Sequence, residues 1–153
     1  MKYGYPTVPR RVVAITWIIA AAACTSQKPQ SAEPEGGVTF ELAGTRWALM
    51  RLGDRDVKIS DGGREAYIHL NSADSSVVGY AGCNRISSTH RTSGSQLSFG
   101  EVIATRMFCD DMPTETALLE VMKSTTSWRI TGSRLELLDA RQRSLAAFEA
   151  RNL

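Results

Sequence analysis

Ser127–Glu149 reads SWRITGSRLELLDARQRSLAAFE. Trp128, Ile130, Leu135, Leu137, Leu145 and Phe148 fall in short runs divided by Gly132-Ser133 and by Asp139–Arg143. Apolar residues alternating with polar ones between turn signals mark strands with one buried face. A Gly-Ser break is hairpin chemistry, because the turn needs a residue that tolerates positive φ. The spacing predicts two successive hairpins built from Ser127–Thr131, Arg134–Leu138 and Leu145–Glu149.

The same rhythm runs back to Val38, with turn residues every eight to twelve positions. It predicts further strands over Thr45–Arg51 (TRWALMR), Ala66–Leu70, Ser76–Tyr80, Ile86–His90 and Gln96–Phe99. One segment departs from it. Pro113–Ser124 (PTETALLEVMKS) places Leu118, Val121 and Met122 at i, i+3 and i+4, with Glu115, Glu120 and Lys123 between them. That is an amphipathic helix of about three turns, with Asp111 as its cap, Pro113 in the first turn and Glu115 near the positive end of the dipole. About eight short strands and one helix imply a mainly β (α+β) fold. We expect a small, partly closed antiparallel β-barrel or curved sheet, with the helix covering an opening or an edge.

Ahead of this domain the chemistry is different. Met1–Arg11 carries only positive charges, Lys2, Arg10 and Arg11, and Val12–Ala23 (VVAITWIIAAAA) carries none. As a helix the apolar run would reach about 18 Å, against a hydrocarbon core of about 30 Å. It reads as a secretory signal over residues 1–23. Ala21-Ala22-Ala23 followed by Cys24 resembles the lipobox of bacterial lipoproteins, with Ala21 where that family usually has Leu. The resemblance implies that Cys24 is acylated. The other reading makes Cys24 a small residue finishing an ordinary signal. Thr25 is not Asp, which by the same resemblance implies an outer-membrane anchor facing the periplasm in a two-membrane organism. Thr25–Gly37 (TSQKPQSAEPEGG) lacks residues that could pack and reads, from Cys24 to residue 37, as a lipidated tether about 20 Å in reach. The folded domain occupies residues 38–153.

The whole chain has 42% hydrophobic and 22% charged residues, which suits one globular domain. Its formal charge of +2 comes from 18 basic against 16 acidic residues. Removing Lys2, Arg10 and Arg11 with the leader leaves 15 basic residues, a net charge of −1. A nucleic-acid footprint needs clustered surplus cations, so no nucleic-acid partner is expected.

The most distinctive stretches are Gly79-Tyr80-Ala81-Gly82-Cys83-Asn84-Arg85 and Ala104-Thr105-Arg106-Met107-Phe108-Cys109. With Trp47 in the first strand, a Glu-containing helix after the second motif and a closing hairpin with Leu135-Glu136-Leu137 and Phe148, they resemble the META domain, or HslJ-like, family over about Leu42–Phe148. Ser88 and His90 stand where that family often has Gly and Tyr. The resemblance implies a curved β-rich fold and frequent attachment as an envelope lipoprotein, and no established reaction.

If Cys24 carries the lipid, export leaves Cys83 and Cys109 in an oxidising compartment, where a disulfide is expected. Two buried free thiols are the alternative. A metal site is not expected, since His69 and His90 are the only histidines and give no zinc-ligand spacing. Asn84 and Arg85 at the end of a Gly-rich turn could grip a carboxylate or phosphate. The structural reading is the stronger one, with Gly79 and Gly82 allowing close backbone approach or a bulge, Asn84 satisfying buried backbone groups and Arg85 pairing with a nearby acid. Thr105 and Arg106 read the same way, as bonding at a strand end. Trp47, Trp128, Tyr67 and Phe148 are expected to fill a core rather than line a ligand cavity. Asp110 and Asp111 match the needs of a helix start and no calcium loop.

No G-x-S-x-G elbow, phosphate loop or H-E-x-x-H motif occurs, and each histidine is expected to be solvated on a strand. These readings point to a non-enzymatic, cofactor-free, monomeric envelope protein, anchored to the membrane by its lipid. Its domain would support envelope integrity or stress tolerance by binding an envelope protein or a small molecule. Alternatives are an inhibitor of a periplasmic hydrolase, using Asp110–Thr114 or His90–Gln96, and a carrier of a small apolar ligand.

Overall fold

The structure, a computed structural model, describes residues 1–2, 39–58, 64–109 and 112–151. All but the first two residues of the expected leader, the Cys24 anchor, the tether, Asp110 and Asp111 lie outside the described residues. Contacts divide the chain into Met1–Pro34 and Glu35–Leu153, and the second unit holds every described strand and the helix.

Ten strands and one helix make up the described domain. They are β1 (Arg46–Leu52), β2 (Arg55–Asp56), β3 (Tyr67–Leu70), β4 (Ser76–Tyr80), β5 (Arg85–Ser93), β6 (Gln96–Phe99), β7 (Ile103–Ala104), α1 (Met112–Ser124), β8 (Ser127–Thr131), β9 (Arg134–Leu138) and β10 (Ser144–Arg151). All eight expected strands are present, and the helix falls where its period placed it. β2 and β7 have two residues each, too few for any alternation to register.

The strands form one antiparallel sheet in the order β10-β9-β8-β6-β5-β4-β3-β1-β2, with β7 added to β5. β1 also pairs with β10, from Arg46↔Arg151 to Leu52↔Ala146, so the path returns on itself. The ring is weakest between β6 and β8. There a single pair, Gln96↔Ser127, is extended by the Leu97 N–H to the Thr126 carbonyl (3.1 Å) and the Trp128 N–H to the Ser95 carbonyl (3.0 Å). The architecture is thus the curved, partly closed sheet expected, with most of its edges paired.

Alternation explains which side chains meet inside. Trp47, Ile68, Leu70, Val77, Leu97, Leu135, Leu137 and Phe148 are all buried in one cluster, and α1 adds Leu118, Val121 and Met122. The helix packs against β1, β6 and β10. Trp47 donates its indole N–H to the Leu42 carbonyl at 2.9 Å, which satisfies the one polar group of this core ring. Trp47 and Phe148 therefore fill the interior. Trp128 is only half-buried against the cluster, and Tyr67 faces outward.

Turn chemistry follows the local demand for positive φ. Gly132 (φ 59°) opens the β8–β9 turn and Gly94 (φ 56°) the β5–β6 turn. The β9–β10 connection is held by Asp139, whose Oδ1 accepts the N–H groups of Arg141 (2.8 Å) and Arg143 (2.9 Å).

Candidate functional site

Asn84 enters β5 directly after Gly82 and Cys83, and it is 1% exposed. Its side-chain amide uses its full capacity. Nδ2 donates to the Met107 carbonyl (3.1 Å) and to Glu115 Oε1 (3.2 Å). Oδ1 accepts the Thr105 hydroxyl (2.8 Å) and the Met107 N–H (2.7 Å). Two donors and two acceptor sites are what an amide has. The Asn84 backbone N–H donates to Glu115 Oε2 at 2.9 Å, and its carbonyl accepts from the Ala81 N–H at 2.9 Å. The Thr105 hydroxyl also accepts the Arg85 N–H (3.2 Å), and the Thr105 N–H reaches the Arg85 carbonyl (3.1 Å).

A disulfide joins Cys83 to Cys109 across 26 residues of chain, with Cα atoms 5.9 Å apart. Asn84, Thr105, Glu115 and the cystine thus clamp one segment, residues 105–109, from both ends and from beneath. The segment is held by its backbone. Its apolar side chains turn outward, Met107 66% and Phe108 97% exposed.

Beside the clamp, on the outer face of β3, β4, β5 and β7, lies a groove of about 750 Å³. Its walls follow from register. Tyr67, Tyr80 and Arg85 stand opposite one another across β3, β4 and β5. Two residues along, Arg46, His69, Val78, Ser87 and Ile103 form the next outward row. Residues directly opposite in a sheet share a face, so each row presents its side chains together. Gly79 belongs to the inward row between Ile68 and Ile86. A Cβ there would meet the Tyr67 carbonyl oxygen at 2.4 Å and Ile86 Cγ1 at 3.1 Å, so only glycine lets the strands approach this closely. Gly82, at φ 96°, turns the chain from β4 into the clamp through the left-handed region.

The groove is rich in cations. Arg46 stacks its guanidinium over the Tyr67 ring at 4.0 Å, Arg64 lies 5.9 Å from the Tyr80 ring centre, and Arg85 is exposed. Glu65 also lines it, but its Oε1 is held by Arg151 Nη2 at 3.1 Å.

A family model for the META domain matches residues 40–152. The chain belongs to the META domain family. Among curated proteins none matches the sequence. Two solved structures share the META fold seen here. An NMR structure of a protein from Burkholderia xenovorans is 21% identical with a TM-score of 0.61, covering 79% of this chain and 98% of that one. A second NMR structure is 20% identical with a TM-score of 0.57, covering 71% and 90%. At these identities the likeness is one of fold.

Within this META domain the motif residues divide into two groups. Gly79, Gly82, Cys83, Asn84, Thr105 and Cys109 come together as structure. Asn84 is buried, and its side-chain amide is fully bonded within the clamp. Among the described residues Arg85 pairs with no acid, and the Arg106 side chain makes no bond at the strand end. Both side chains are exposed and lack an ion-pair partner among the described residues, because the motif uses Arg85 only through its backbone.

His90 departs from the solvated face expected of it. It is 9% exposed, because it lies four residues beyond Ile86 on β5 and so shares the inward face of that strand. Its Nε2 lies 3.3 Å from the Asn71 carbonyl. His69 is half-buried, with Nδ1 3.1 Å from the Thr45 carbonyl. Arg46 and Arg64 carry no signal in the sequence. A cation stacked on an aromatic ring of another strand has no local signature.

Proposed function

We propose that this META domain is the working part of a lipid-anchored bacterial envelope protein that binds another molecule and catalyses no reaction. The basic, apolar and small-residue zones ending at Cys24 support export and acylation, and Thr25 favours an outer-membrane anchor facing the periplasm. The observation that carries the reading is a division of labour. The residues most able to do chemistry, Cys83, Cys109, Asn84 and Glu115, close on one another inside the clamp. The exposed side chains beside them, Arg85, Ile103, Met107 and Phe108, remain available for contact. A rigid, cystine-braced surface of this kind binds with little ordering cost. Support of envelope integrity under stress is the role that best suits a tethered binder.

Metabolic labelling with a fatty acid should mark the parent chain but not Cys24→Ser, and the substituted chain should leave the membrane fraction. Unlabelled parent chain recovered from the cytoplasm with its leader intact would remove the anchor. Deleting the gene should raise sensitivity to heat, detergents or envelope-directed drugs. Unchanged sensitivity would remove the protective role.

A further inference from the structure

The groove over β3, β4 and β5 gathers three guanidinium groups, those of Arg46, Arg64 and Arg85, within one concavity. Among the described residues none of the three has a carboxylate partner. The acid in the same wall, Glu65, is already engaged by Arg151. Like charges collected with no acid paired to them among the described residues raise the local potential and favour an anion. Arg46 is oriented by the Tyr67 ring at 4.0 Å rather than by an acid, and its Nε is closed off from solvent without an acceptor. The second outward row is apolar at Val78 and Ile103, which are 47% and 67% exposed.

From this charge and its apolar border we infer that the groove binds a phosphate monoester carrying an apolar or aromatic body. The phosphate lies among the arginines and the body lies along Tyr67, Tyr80, Val78 and Ile103. A monoester dianion with three terminal oxygens suits several guanidinium forks better than a single carboxylate does. The ester can come from a soluble molecule or from a lipid headgroup, since both present the same group. The inference deepens the binding role proposed above and rests on it. It names the surface and the ligand class.

The test uses the full chain and two sources of the same group. Titration with phenyl phosphate, followed through the Tyr67 and Tyr80 ring resonances, should give saturable shifts, with benzoate and benzyl alcohol binding at least tenfold more weakly. Sedimentation with phosphatidylcholine vesicles, with and without phosphatidic acid, reads the lipid source. Arg64→Gln and Arg85→Gln are exposed positions, so unfolding midpoints should stay unchanged while each lowers affinity about tenfold. Phenyl phosphate binding that depends on these arginines supports a soluble ester. Binding only to vesicles that contain phosphatidic acid, with the same dependence, supports a lipid source. Benzoate binding as tightly, affinity unaltered in both variants, or no binding to any probe overturns the inference. Fractionation and the deletion phenotype do not involve these arginines. A strain rescued by the double variant would therefore sink the groove and leave the anchored binder standing.

Discussion

The carboxylate of Glu115 accepts two hydrogen bonds from Asn84, one from the backbone N–H at 2.9 Å and one from the side-chain amide at 3.2 Å. The two residues are 31 positions apart and both are buried. Through this contact the first turn of α1 is fastened to the start of β5, and the loop between them is fixed through Thr105 and Met107. A buried donor left without its acceptor costs about 1–3 kcal/mol. Glu115→Ala, which strands two donors, should therefore lower unfolding free energy by about 2–3 kcal/mol. Glu115→Gln keeps one acceptor oxygen and should cost about half as much. Urea unfolding that finds both variants within experimental error of the parent would contradict this account of the clamp.

Asn84→Asp tests the same contact by charge. The substitution replaces the donor that faces Glu115 Oε1 with a carboxylate oxygen, and two carboxylates this close disfavour simultaneous ionisation. The shared site then has its proton affinity raised in the folded state. A raised folded value means stability that is present at low pH and lost as pH rises through it. The variant should thus be closer to the parent in stability at about pH 5 than at about pH 7. A deficit that is the same at both pH values would argue against a direct carboxylate contact.

The Cys83–Cys109 bond closes 26 residues, which in the chain-entropy model is worth about 3.5 kcal/mol. The double substitution Cys83→Ala, Cys109→Ala should lose about that much in chemical denaturation. It should also raise proteolytic cleavage within residues 105–109, because hydrogen bonds to Asn84 and Arg85 then hold that segment without the cystine. A loss below about 1 kcal/mol would mean that the cystine constrains little.

Gly79→Ala places a methyl group 2.4 Å from the Tyr67 carbonyl oxygen. Overpacking of this kind typically costs about 1–3 kcal/mol. Because the nearest atom is backbone, trimming the neighbour with Ile86→Val should not rescue the variant. Restoration of the parent midpoint in the double variant would show that the side-chain contact, rather than strand separation, sets the cost.

Three surface carboxylates are held below their ordinary range. Glu136 is held there first by a side-chain hydrogen bond from Arg129, whose Nη2 lies 2.7 Å away. Asp139 is lowered first by the backbone N–H of Arg143, and Asp74 by the Ser76 hydroxyl. A lowered folded value gives stability that is present above the unfolded carboxylate range, near about pH 4, and lost as pH falls through the folded value. The stability these three groups supply should be intact from about pH 7 to about pH 5 and decline below about pH 4. Arg129→Gln should flatten part of that decline, by a small amount because the pair is exposed. A decline of the same steepness in the variant would assign the acid sensitivity to other groups.

Much of the fold was legible along the chain. The limits of β4, β6, β8 and β9 follow from alternation and turn residues, since the side-chain period of a strand is a property of neighbours two positions apart. The burial of Leu118, Val121 and Met122 follows from helical spacing in the same way. The two Cys-containing motifs point to the family and to the cystine. Glu115 is where the helical pattern misleads. Its position among polar residues suggests a charge near the helix end, whereas it turns inward to Asn84.

By itself, then, the sequence determined the eight longer strands, the helix, the pair of cysteines and the family, because each is written in residues close together or in motifs of fixed order. Only the tertiary structure decided that β1 closes on β10, that His90 faces inward, and that Arg46, Arg64 and Arg85 line one groove with Tyr67 and Tyr80. Those outcomes depend on register between strands distant in the chain. A shift of one residue would send every side chain of a strand to the opposite face, and no local pattern specifies which partner residue will stand across the sheet.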